Sequence, residues 1–341
     1  MSKKVILSGD RPTGPLHIGH YLGTLKSRVE MQHDYETFIM VADAQAITDN
    51  VGDIAKVRNN IFEVVCDYLA VGIDPKISHI FIQSCLPQLP ELTMYFLNVV
   101  SIQRIGHNPT VKSEMKTRGY TDSVPAGFYL YPIYQVADIV AFGTHVVPVG
   151  NDQVPMIELA RDVVRNFNEQ FNKEVLVLPE VYQPKIGARL PGVDGNKMSK
   201  SQGNAIYLSD ENDEIIKKIK KMKSDPNRKS LEDPGDPSEA VAFSYLEAFH
   251  PDPRRVEELK EHYQRGGMPD KVLKEETAQV LIAFIEPIRE RRKEFSSQPD
   301  LVYEIIRKGT MAAEAKAAKT LAAVKEAMGI NYPFIKPHVL Q

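Results

Sequence analysis

The stretch that decides the fold is residues 5–25, which read VILSGDRPTGPLHIGHYLGTL. It opens with a short apolar run, passes through a turn region that contains Gly9, Pro12 and Gly14, and continues as a predicted helix from Tyr21. A strand, a tight loop and a helix start in this order are typical of phosphate-binding sites. The unpaired backbone N–H groups and the positive end of the helix dipole both face the loop.

Two histidines lie three residues apart at the start of this predicted helix. His17 and His20 are close enough to point at the same phosphate groups, and Gly19 and Gly23 leave room for a ligand to approach the backbone. Each histidine alone would more often be a helix cap or a satisfied surface residue. A second, distant motif is therefore needed before the pattern indicates a nucleotide site.

That second motif is KMSKS at residues 197–201, flanked by Gly195 and Gly203. Two lysines and two serines on a glycine-bounded loop are suited to a mobile cationic lid over a polyphosphate. Taken by itself, the motif would be interpreted as a solvated basic loop. Its occurrence downstream of the histidine turn favours the lid.

Composition sets the outer limits of the interpretation. The 341 residues are 43% hydrophobic and 26% charged, which is typical of a globular protein of one large or two ordinary domains. No apolar run is long enough to cross a bilayer, and the N-terminal sequence lacks a signal-peptide pattern. Cys66 and Cys85 predict buried thiols rather than a disulfide framework. We therefore expect a cytoplasmic protein, and the net charge of −3 argues neither for nor against a nucleic-acid partner.

Alternation of apolar runs and helical periods predicts an α/β fold with a Rossmann-like, doubly wound parallel sheet. The expected further strands are residues 37–42, 79–82 and 146–149, and the expected helices are residues 55–71, 91–105 and 154–171. Because the GxGxxG fingerprint is absent, NAD is a poor candidate ligand. Polar residues at the strand ends, including Gln45 and Gln153, mark the edge where such sheets bind ligands.

Helical periods dominate after residue 205. We expect helices at residues 213–223, 239–249, 256–264, 271–294, 301–308 and 311–328, with a loop over 225–237. The predicted domains are a catalytic domain at residues 1–204, an all-α domain at residues 205–310, and a final segment, 311–341, that packs back on the first domain. The lysine-rich face of residues 217–223 is either solvated or suited to RNA.

Residues 127–138, which read GFYLYPIYQVAD, predict a helix with a polar face. Tyr131, Gln135 and Asp138 have the spacing i, i+4 and i+7, which places them on one side of a helix. Buried polar groups need partners, and a ligand is one possible partner. A partly exposed polar stripe is the alternative, and the residues alone do not separate the two.

Together, HIGH at residues 17–20 and KMSKS at 197–201 resemble the paired signatures of the class I aminoacyl-tRNA synthetases. The segments LSGDRPTGPLHIGHYLG, YLAVGIDP, YPxxQxADI, VPVGNDQ and RLPGVDGNKMSKS, found over nearly the whole chain, further resemble the bacterial tryptophanyl-tRNA synthetases. One departure is that many of those enzymes have Thr-Ile-Gly-Asn at the HIGH position and Met at Gln135. The complete HIGH and the face formed by Tyr131, Gln135 and Asp138 also resemble tyrosyl enzymes.

Hydrogen-bonding chemistry favours tryptophan over tyrosine. The tyrosyl enzymes that the chain also resembles typically pair the phenol OH with an Asp from this helix and a Tyr from the first strand, and the matching strand residue here is Leu7. Indole has one donor and no acceptor, so Asp138 alone would satisfy it. Leaving a phenol OH without its partner costs about 1–3 kcal/mol. Val147 and Val149 would supply apolar walls.

The resemblance implies roles for named residues. The expected catalytic residues are His17, His20, Lys112, Lys197 and Lys200. The expected ATP-binding residues are Arg11, Thr13, His17, Gly19, His20, Gly150, Asp152, Lys197, Met198, Ser199 and Lys200. The expected tryptophan-binding residues are Leu7, Gly9, Gln45, Tyr131, Gln135, Asp138, Val147, Val149 and Gln153.

The same resemblance implies ATP as cosubstrate, with Mg²⁺ held mainly by its phosphates and by water rather than by a protein metal site. It also implies tRNA(Trp) as partner, anticodon binding by the helical domain and a homodimer, with no membrane or DNA partner. Two other classes are open. A small-molecule nucleotidylyltransferase shares the HIGH-type loop but does not need a helical domain after a KMSKS lid. An RNA-binding relative that has lost catalysis would not need intact His17, His20, Lys197 and Lys200.

Overall fold

The chain, described by a computed structural model over residues 3–121, 123–183 and 190–332, contains a five-stranded parallel sheet. The strand order is β3-β2-β1-β4-β5. The strands are β1 (Val5–Asp10), β2 (Glu36–Val41), β3 (Ser78–Ile82), β4 (Val146–Pro148) and β5 (Glu180–Tyr182). This order confirms the predicted doubly wound α/β fold.

Alternate residues of β2 serve two hydrophobic cores, one on each face of the sheet. Ile39 and Val41 pack with one cluster, and Phe38 and Met40 pack with the other. A strand covered on both faces is apolar at every position, which is why the sequence shows a continuous apolar run here.

Helices cover both faces. Those of the first half are α1 (Ile18–His20), α2 (Lys26–Met31), α3 (Asp43–Asn50), α4 (Ile54–Ala70), α5 (Gln88–Phe96), α6 (Ile102–Gly106), α7 (Pro109–Thr117), α8 (Ala126–Val140) and α9 (Val154–Gln170). Those of the second half are α10 (Asn212–Lys220), α11 (Val241–Phe249), α12 (Pro253–Arg265), α13 (Asp270–Ser296) and α14 (Pro299–Ala327). A π-helical turn, Tyr21–Leu25, connects α1 to α2.

Local chemistry explains several helix starts. The Asp53 side chain accepts a hydrogen bond from the Lys56 N–H at 3.1 Å and caps α4. Asn108 caps α7 in the same way, and Pro109 occupies the first turn of that helix. These residue types are the preferred caps because their side-chain oxygens satisfy an unpaired backbone donor.

Several sequence predictions were wrong in detail. Cys85, expected to be a buried thiol, is exposed. The expected helix over 91–105 is divided into α5 and α6, since Ser101 has an extended backbone and caps α6. The expected helices over 301–308 and 311–328 are one continuous helix, α14. Helix α3 and the three-residue strand β5 were not predicted.

The C-terminal helices pack against the sheet domain. Helix α13 lies against α4, and α14 lies against β3 and α5. The predicted boundary at residue 310 therefore falls inside α14, which begins at Pro299. Residues 333–341 of the predicted final segment lie outside the described residues, and the division into domains stays a prediction.

None of the helices in the described ranges combines the length and apolar character required to cross a membrane.

The contact between α14 and β3 depends on a buried glycine. A Cβ at Gly309 would lie 2.0 Å from the Ile80 carbonyl oxygen, so the helix backbone rests on the strand backbone. Since the blocking atom belongs to backbone, a side chain cannot be accommodated by a simple rotation.

We predict that Gly309→Ala lowers the free energy of unfolding by about 1–3 kcal/mol, because α14 must shift away from β3. The matched control is Gly127→Ala in α8, where nothing lies within 4 Å of the new Cβ. The control is expected to be neutral or to stabilise by up to about 1 kcal/mol through helix propensity. Urea denaturation measures both values, and equal effects of the two substitutions would contradict the prediction.

Candidate functional site

A cavity of about 1440 Å³ opens at the carboxyl ends of β1 and β4. These strands are neighbours in the sheet but not in sequence, so the cavity lies at the topological switch point, where open α/β sheets bind ligands. Its volume exceeds the range of about 300–1,000 Å³ usual for one small ligand. The cavity therefore has room for two ligands side by side.

The histidine turn forms one wall. The His17 N–H donates to Nδ1 of His20 at 3.1 Å, and the ring centroids are 3.7 Å apart. Burial, with the nearby His20 and Lys200, lowers the pKa of His17 to about 2. Burial, partly opposed by Asp10, lowers the pKa of His20 to about 4. Both imidazoles are neutral at pH 7, and neutral His20 carries its proton on Nε2 because Nδ1 is an acceptor.

An ion pair underneath this turn holds it against the sheet. Arg28 is 2% exposed and donates to the Asp10 carboxylate at 2.6 Å, and the Tyr68 hydroxyl donates to the same oxygen at 2.9 Å. Arg28 also donates to Thr24 at 3.0 Å. Burial alone would raise the pKa of Asp10, but Arg28 and Tyr68 hold that pKa well below its usual range. A fixed negative charge therefore lies at the end of β1.

The KMSKS segment lies beside the histidine turn, where a Cβ at Gly19 would lie 3.0 Å from the Met198 sulfur. Lys200 donates from Nζ to the Gly14 carbonyl at 2.6 Å, which brings the lysine onto the loop after β1. Burial lowers the pKa of Lys200 to about 8, so the ammonium still predominates at pH 7. The two sequence motifs, far apart in the chain, thus lie side by side at one end of the cavity. The Ser201 side chain and Arg189, at the start of the extended motif, lie outside the described residues.

Asn204 holds the KMSKS segment in shape. Its side chain accepts from the Ser199 N–H at 2.9 Å and donates to the Lys197 carbonyl at 3.1 Å and to Asp194 at 2.8 Å. A Cβ at Gly192 would lie 2.3 Å from the Asn204 amide nitrogen, so glycine is required beside it. These contacts explain why the glycines around the motif matter for its conformation as well as its mobility.

The far end of the cavity is apolar with one buried carboxyl group. Leu7, Val147 and Val149 line it, and Asp138 has no exposed surface. The Gln83 amide donates to both Asp138 oxygens, at 2.8 and 2.9 Å. Burial raises the pKa of Asp138 to about 8 despite these hydrogen bonds. Such a carboxyl group is suited to accept a hydrogen bond from a ring N–H.

Polar side chains surround the middle of the cavity. The Tyr131 hydroxyl donates to Glu114 at 2.8 Å, and the Gln135 amide donates to Gln153 at 3.4 Å. Burial, followed by the charge of Glu114, raises the pKa of Tyr131 above its usual value. The predicted polar face of α8 therefore does point into the cavity, with partners from α7 and from the turn after β4.

Lys112 is the exception among the predicted site residues. The structure places it in α7, exposed and outside this cavity, where it lines a smaller depression with Lys116. The side of α7 that faces the cavity carries Glu114 and, just beyond the helix, Arg118. Arg11 and Arg118 both pair with the Asp49 carboxylate, at 2.5 and 2.6 Å.

All the other predicted catalytic and binding residues line the cavity. Sequence reasoning missed Asp10, Arg28, Gln83, Asp49 and Arg118. Gln83 follows directly after β3, so the rule that strand ends carry functional residues could have identified it. The other four form ion pairs between distant segments, which a single sequence does not reveal. The described residues contain no group of three or more His, Cys, Asp or Glu side chains that could hold a metal ion.

The chain is similar to known proteins over nearly its whole length. The family described as tRNA synthetases class I (W and Y) matches residues 2–286. The chain is 52% identical to the tryptophan–tRNA ligase of Clostridium longisporum, over 97% of this chain and 98% of that protein. It is 49% identical to that of Streptococcus pyogenes serotype M3, over 97% and 100%. The tryptophanyl-tRNA synthetase of Campylobacter jejuni, solved with ADP and tryptophan, superposes with a TM-score of 0.83 at 30% identity, over 95% and 99%.

We predict that Arg28→Met lowers the free energy of unfolding by about 3–5 kcal/mol, since it leaves the Asp10 carboxylate buried without its counterion. Arg254→Met is the matched control, because Arg254 is 90% exposed and meets Asp252 only at 3.5 Å. The control should change stability by less than about 0.5 kcal/mol. The double variant Asp10→Asn/Arg28→Met should lose less free energy of unfolding than Arg28→Met alone. A loss below about 1 kcal/mol for the single variant would contradict the role of the pair.

Proposed function

Because the chain belongs to the class I tRNA synthetases of the tryptophan and tyrosine type, and within them to the bacterial tryptophanyl-tRNA synthetases, we propose that it activates L-tryptophan with ATP and transfers it to tRNA(Trp). One observation supports this most directly. A single cavity joins the histidine turn and Lys200 at one end to an apolar pocket closed by Asp138 at the other. An amino acid and a nucleotide fit there side by side.

The apolar end suits an indole. Its ring N–H donates to the Asp138 carboxylate, and Leu7, Val147 and Val149 contact the ring faces and edges. The hydrogen bonds from Gln83 and Gln45, the latter at 3.4 Å, fix the carboxylate at the end of the cavity that it lines. A phenol would find Leu7 where it needs a polar group, which supports tryptophan over tyrosine.

In the first step a carboxylate oxygen of tryptophan attacks the α-phosphorus of ATP. The new O–P bond forms while the bond to the bridging oxygen breaks, and pyrophosphate leaves with that electron pair. No protein nucleophile takes part, so the protein contributes position and charge. Tyr131 and Gln153 bind the ammonium group of tryptophan and orient its carboxylate.

The residues around the phosphates differ in charge. His17 and His20 are neutral, so they stabilise phosphate oxygens as hydrogen-bond donors, whereas Lys197 and Lys200 supply positive charge to the departing pyrophosphate. For Lys200 to reach a phosphate, its hydrogen bond to Gly14 must exchange for the ligand. Arg11 and Thr13 line the same end of the cavity.

Mg²⁺, when bound, neutralises charge on the phosphates. It would arrive on ATP and be held mainly by phosphate and water oxygens.

In the second step a hydroxyl group of the terminal tRNA ribose, the 2′-OH in the resembled class, attacks the carbonyl carbon of the adenylate, and AMP leaves. The C-terminal helices are the proposed anticodon-binding region, where Lys217, Lys220 and Lys221 provide positive charge on and next to α10. A homodimer and a cytoplasmic location belong to the same proposal.

Amino-acid-dependent ATP–pyrophosphate exchange, run with tryptophan and tyrosine in parallel, tests the proposal. Exchange with tryptophan but not tyrosine, followed by charging of tRNA(Trp), supports it. Preference for tyrosine would contradict the Asp138 and Leu7 argument. No exchange with either amino acid would favour an RNA-binding protein without catalysis.

We predict that tryptophan affinity increases as the pH rises through about 8, because the indole N–H binds the ionised form of Asp138 and burial raises its pKa to that value. Isothermal titration calorimetry between pH 6 and 8.5, where the ligand's own ammonium stays charged, measures the dissociation constant. Asp138→Asn should bind about tenfold more weakly and lose the pH dependence. An affinity that is flat or falls with pH in the unaltered protein would contradict the assignment.

We predict that Lys200→Ala slows tryptophan-dependent exchange by about 10²–10³-fold with little change in tryptophan affinity, since it removes charge stabilisation from the pyrophosphate end alone. Lys271→Ala, at a lysine that is 82% exposed, is the control and should exchange at the normal rate. A Lys200→Ala variant that keeps its full rate would show that the lysine only anchors the loop at Gly14.

A further inference from the structure

A buried carboxylate outside the cavity holds the backbone of the histidine turn. Asp67 in α4 has no exposed surface. One of its oxygens accepts from the Leu16 N–H at 2.8 Å, and the other accepts from Nε of Arg292 at 2.7 Å. Leu16 directly precedes His17 in the chain, and Asp67 itself does not line the cavity.

Arg292 belongs to α13, in the C-terminal helical segment. Besides Asp67 it pairs with Glu63, one turn earlier on α4. Its neighbour Arg291 donates to the Ala70 carbonyl at 2.7 Å. Two successive arginines thus fasten α13 to α4, but only Arg292 reaches the carboxylate that holds Leu16.

The same helix also holds the chain that follows the KMSKS segment. Arg289 in α13 donates to the Asp210 carbonyl at 2.8 Å. Just before Asp210, the Leu208 N–H donates to the Leu16 carbonyl at 3.0 Å. The Leu16 N–H is therefore held by Asp67 of α4, and the Leu16 C=O is held by Leu208, in the segment that follows KMSKS. Helix α13 contacts both α4 and that segment.

We propose that Asp67 is a positioning residue for adenylate formation, and that through the Arg292–Asp67–Leu16 connection helix α13 sets the position of His17. The inference rests on the proposed function for its rate measurements. Under this proposal the C-terminal helices, where tRNA is proposed to bind, are mechanically connected to the histidine turn.

Electrostatics makes this connection stiff. A buried carboxylate with a cation on one oxygen and a backbone N–H on the other interacts strongly with both because little water screens them. If Arg292 is removed, Asp67 must find a new donor or take up a proton, and its hold on Leu16 changes. A shift of about 1 Å in a group that contacts the reacting phosphate is enough to lower a rate about 10²-fold.

Arg292→Gln and Arg291→Gln make a matched pair. Arg292→Gln removes the contacts to Asp67 and Glu63, and Arg291→Gln removes the hydrogen bond to the Ala70 carbonyl, so only the first breaks the connection to Leu16. Glu63→Gln, which alters the second partner of Arg292 alone, should keep its kcat. We expect Arg292→Gln to lower kcat of tryptophan-dependent exchange by about 10–100-fold with KM for tryptophan unchanged, and Arg291→Gln to keep its kcat. Arg292→Lys, which keeps the charge, should recover part of the rate.

Hydrogen exchange of the Leu16 amide gives a readout that needs no catalysis. It should become faster in Arg292→Gln and in Asp67→Asn, and stay slow in Arg291→Gln. Equal kcat values and equal Leu16 protection in the two arginine variants would overturn the inference. An unaltered protein that shows no exchange with tryptophan would instead refute the proposed function, and the Leu16 measurement would still decide whether the connection exists.

Discussion

The incomplete pairing of β1 with β4 is the constraint from which the site follows. Strand β1 pairs with β2 along six residues, from Val5 to Asp10, but its ladder with β4 consists of Ile6 opposite Val146. Beyond that pair, residues of both strands line the cavity instead of closing the sheet. Chain crossovers that leave the sheet on opposite sides make such an opening at the switch point. The ligands can then contact backbone and side chains from both halves of the sheet.

Buried charges give the opening its two chemically different ends. At the polyphosphate end, Asp10 is ionised beside Arg28, and the low-polarity surroundings keep both histidines neutral. At the other end, Asp138 sits among apolar walls with its pKa near 8. Burying ionisable groups costs free energy unless they are paired, so both carboxyl groups are held by specific donors, Asp10 by Arg28 and Tyr68 and Asp138 by Gln83. The same contacts that stabilise the fold therefore fix the donors and acceptors that meet the ligands.

Much of this arrangement could be predicted from the sequence because it is encoded locally. Continuous apolar runs predicted strands β1 to β4. The rule that ligands meet the carboxyl ends of strands predicted Gln45 and Gln153 as ligand-binding residues. Lys112 does not line the cavity, because the orientation of a short helix depends on its packing and α7 turns Glu114 toward the cavity instead. Its catalytic role stays a prediction. Spacing alone could not show which face would be buried.

Other features depend on contacts between distant segments. Gly309 looked like a break between two helices, yet it lies inside α14, where its missing side chain lets the helix rest on β3. Strand β5 has only three residues and forms because β4 offers it an edge. The pairs Asp10–Arg28 and Asp67–Arg292 join residues 18 and 225 positions apart, and a single sequence contains no sign of either.

A crystal structure with L-tryptophan and a non-hydrolysable ATP analogue tests the central claim most directly, namely that this one cavity holds both substrates with the ring at Asp138. We expect the indole nitrogen about 3 Å from an Asp138 oxygen, and the phosphates at His17, His20 and Lys200 after the lysine has left Gly14. An indole bound elsewhere, or phosphates on the opposite side of the cavity, would contradict the account.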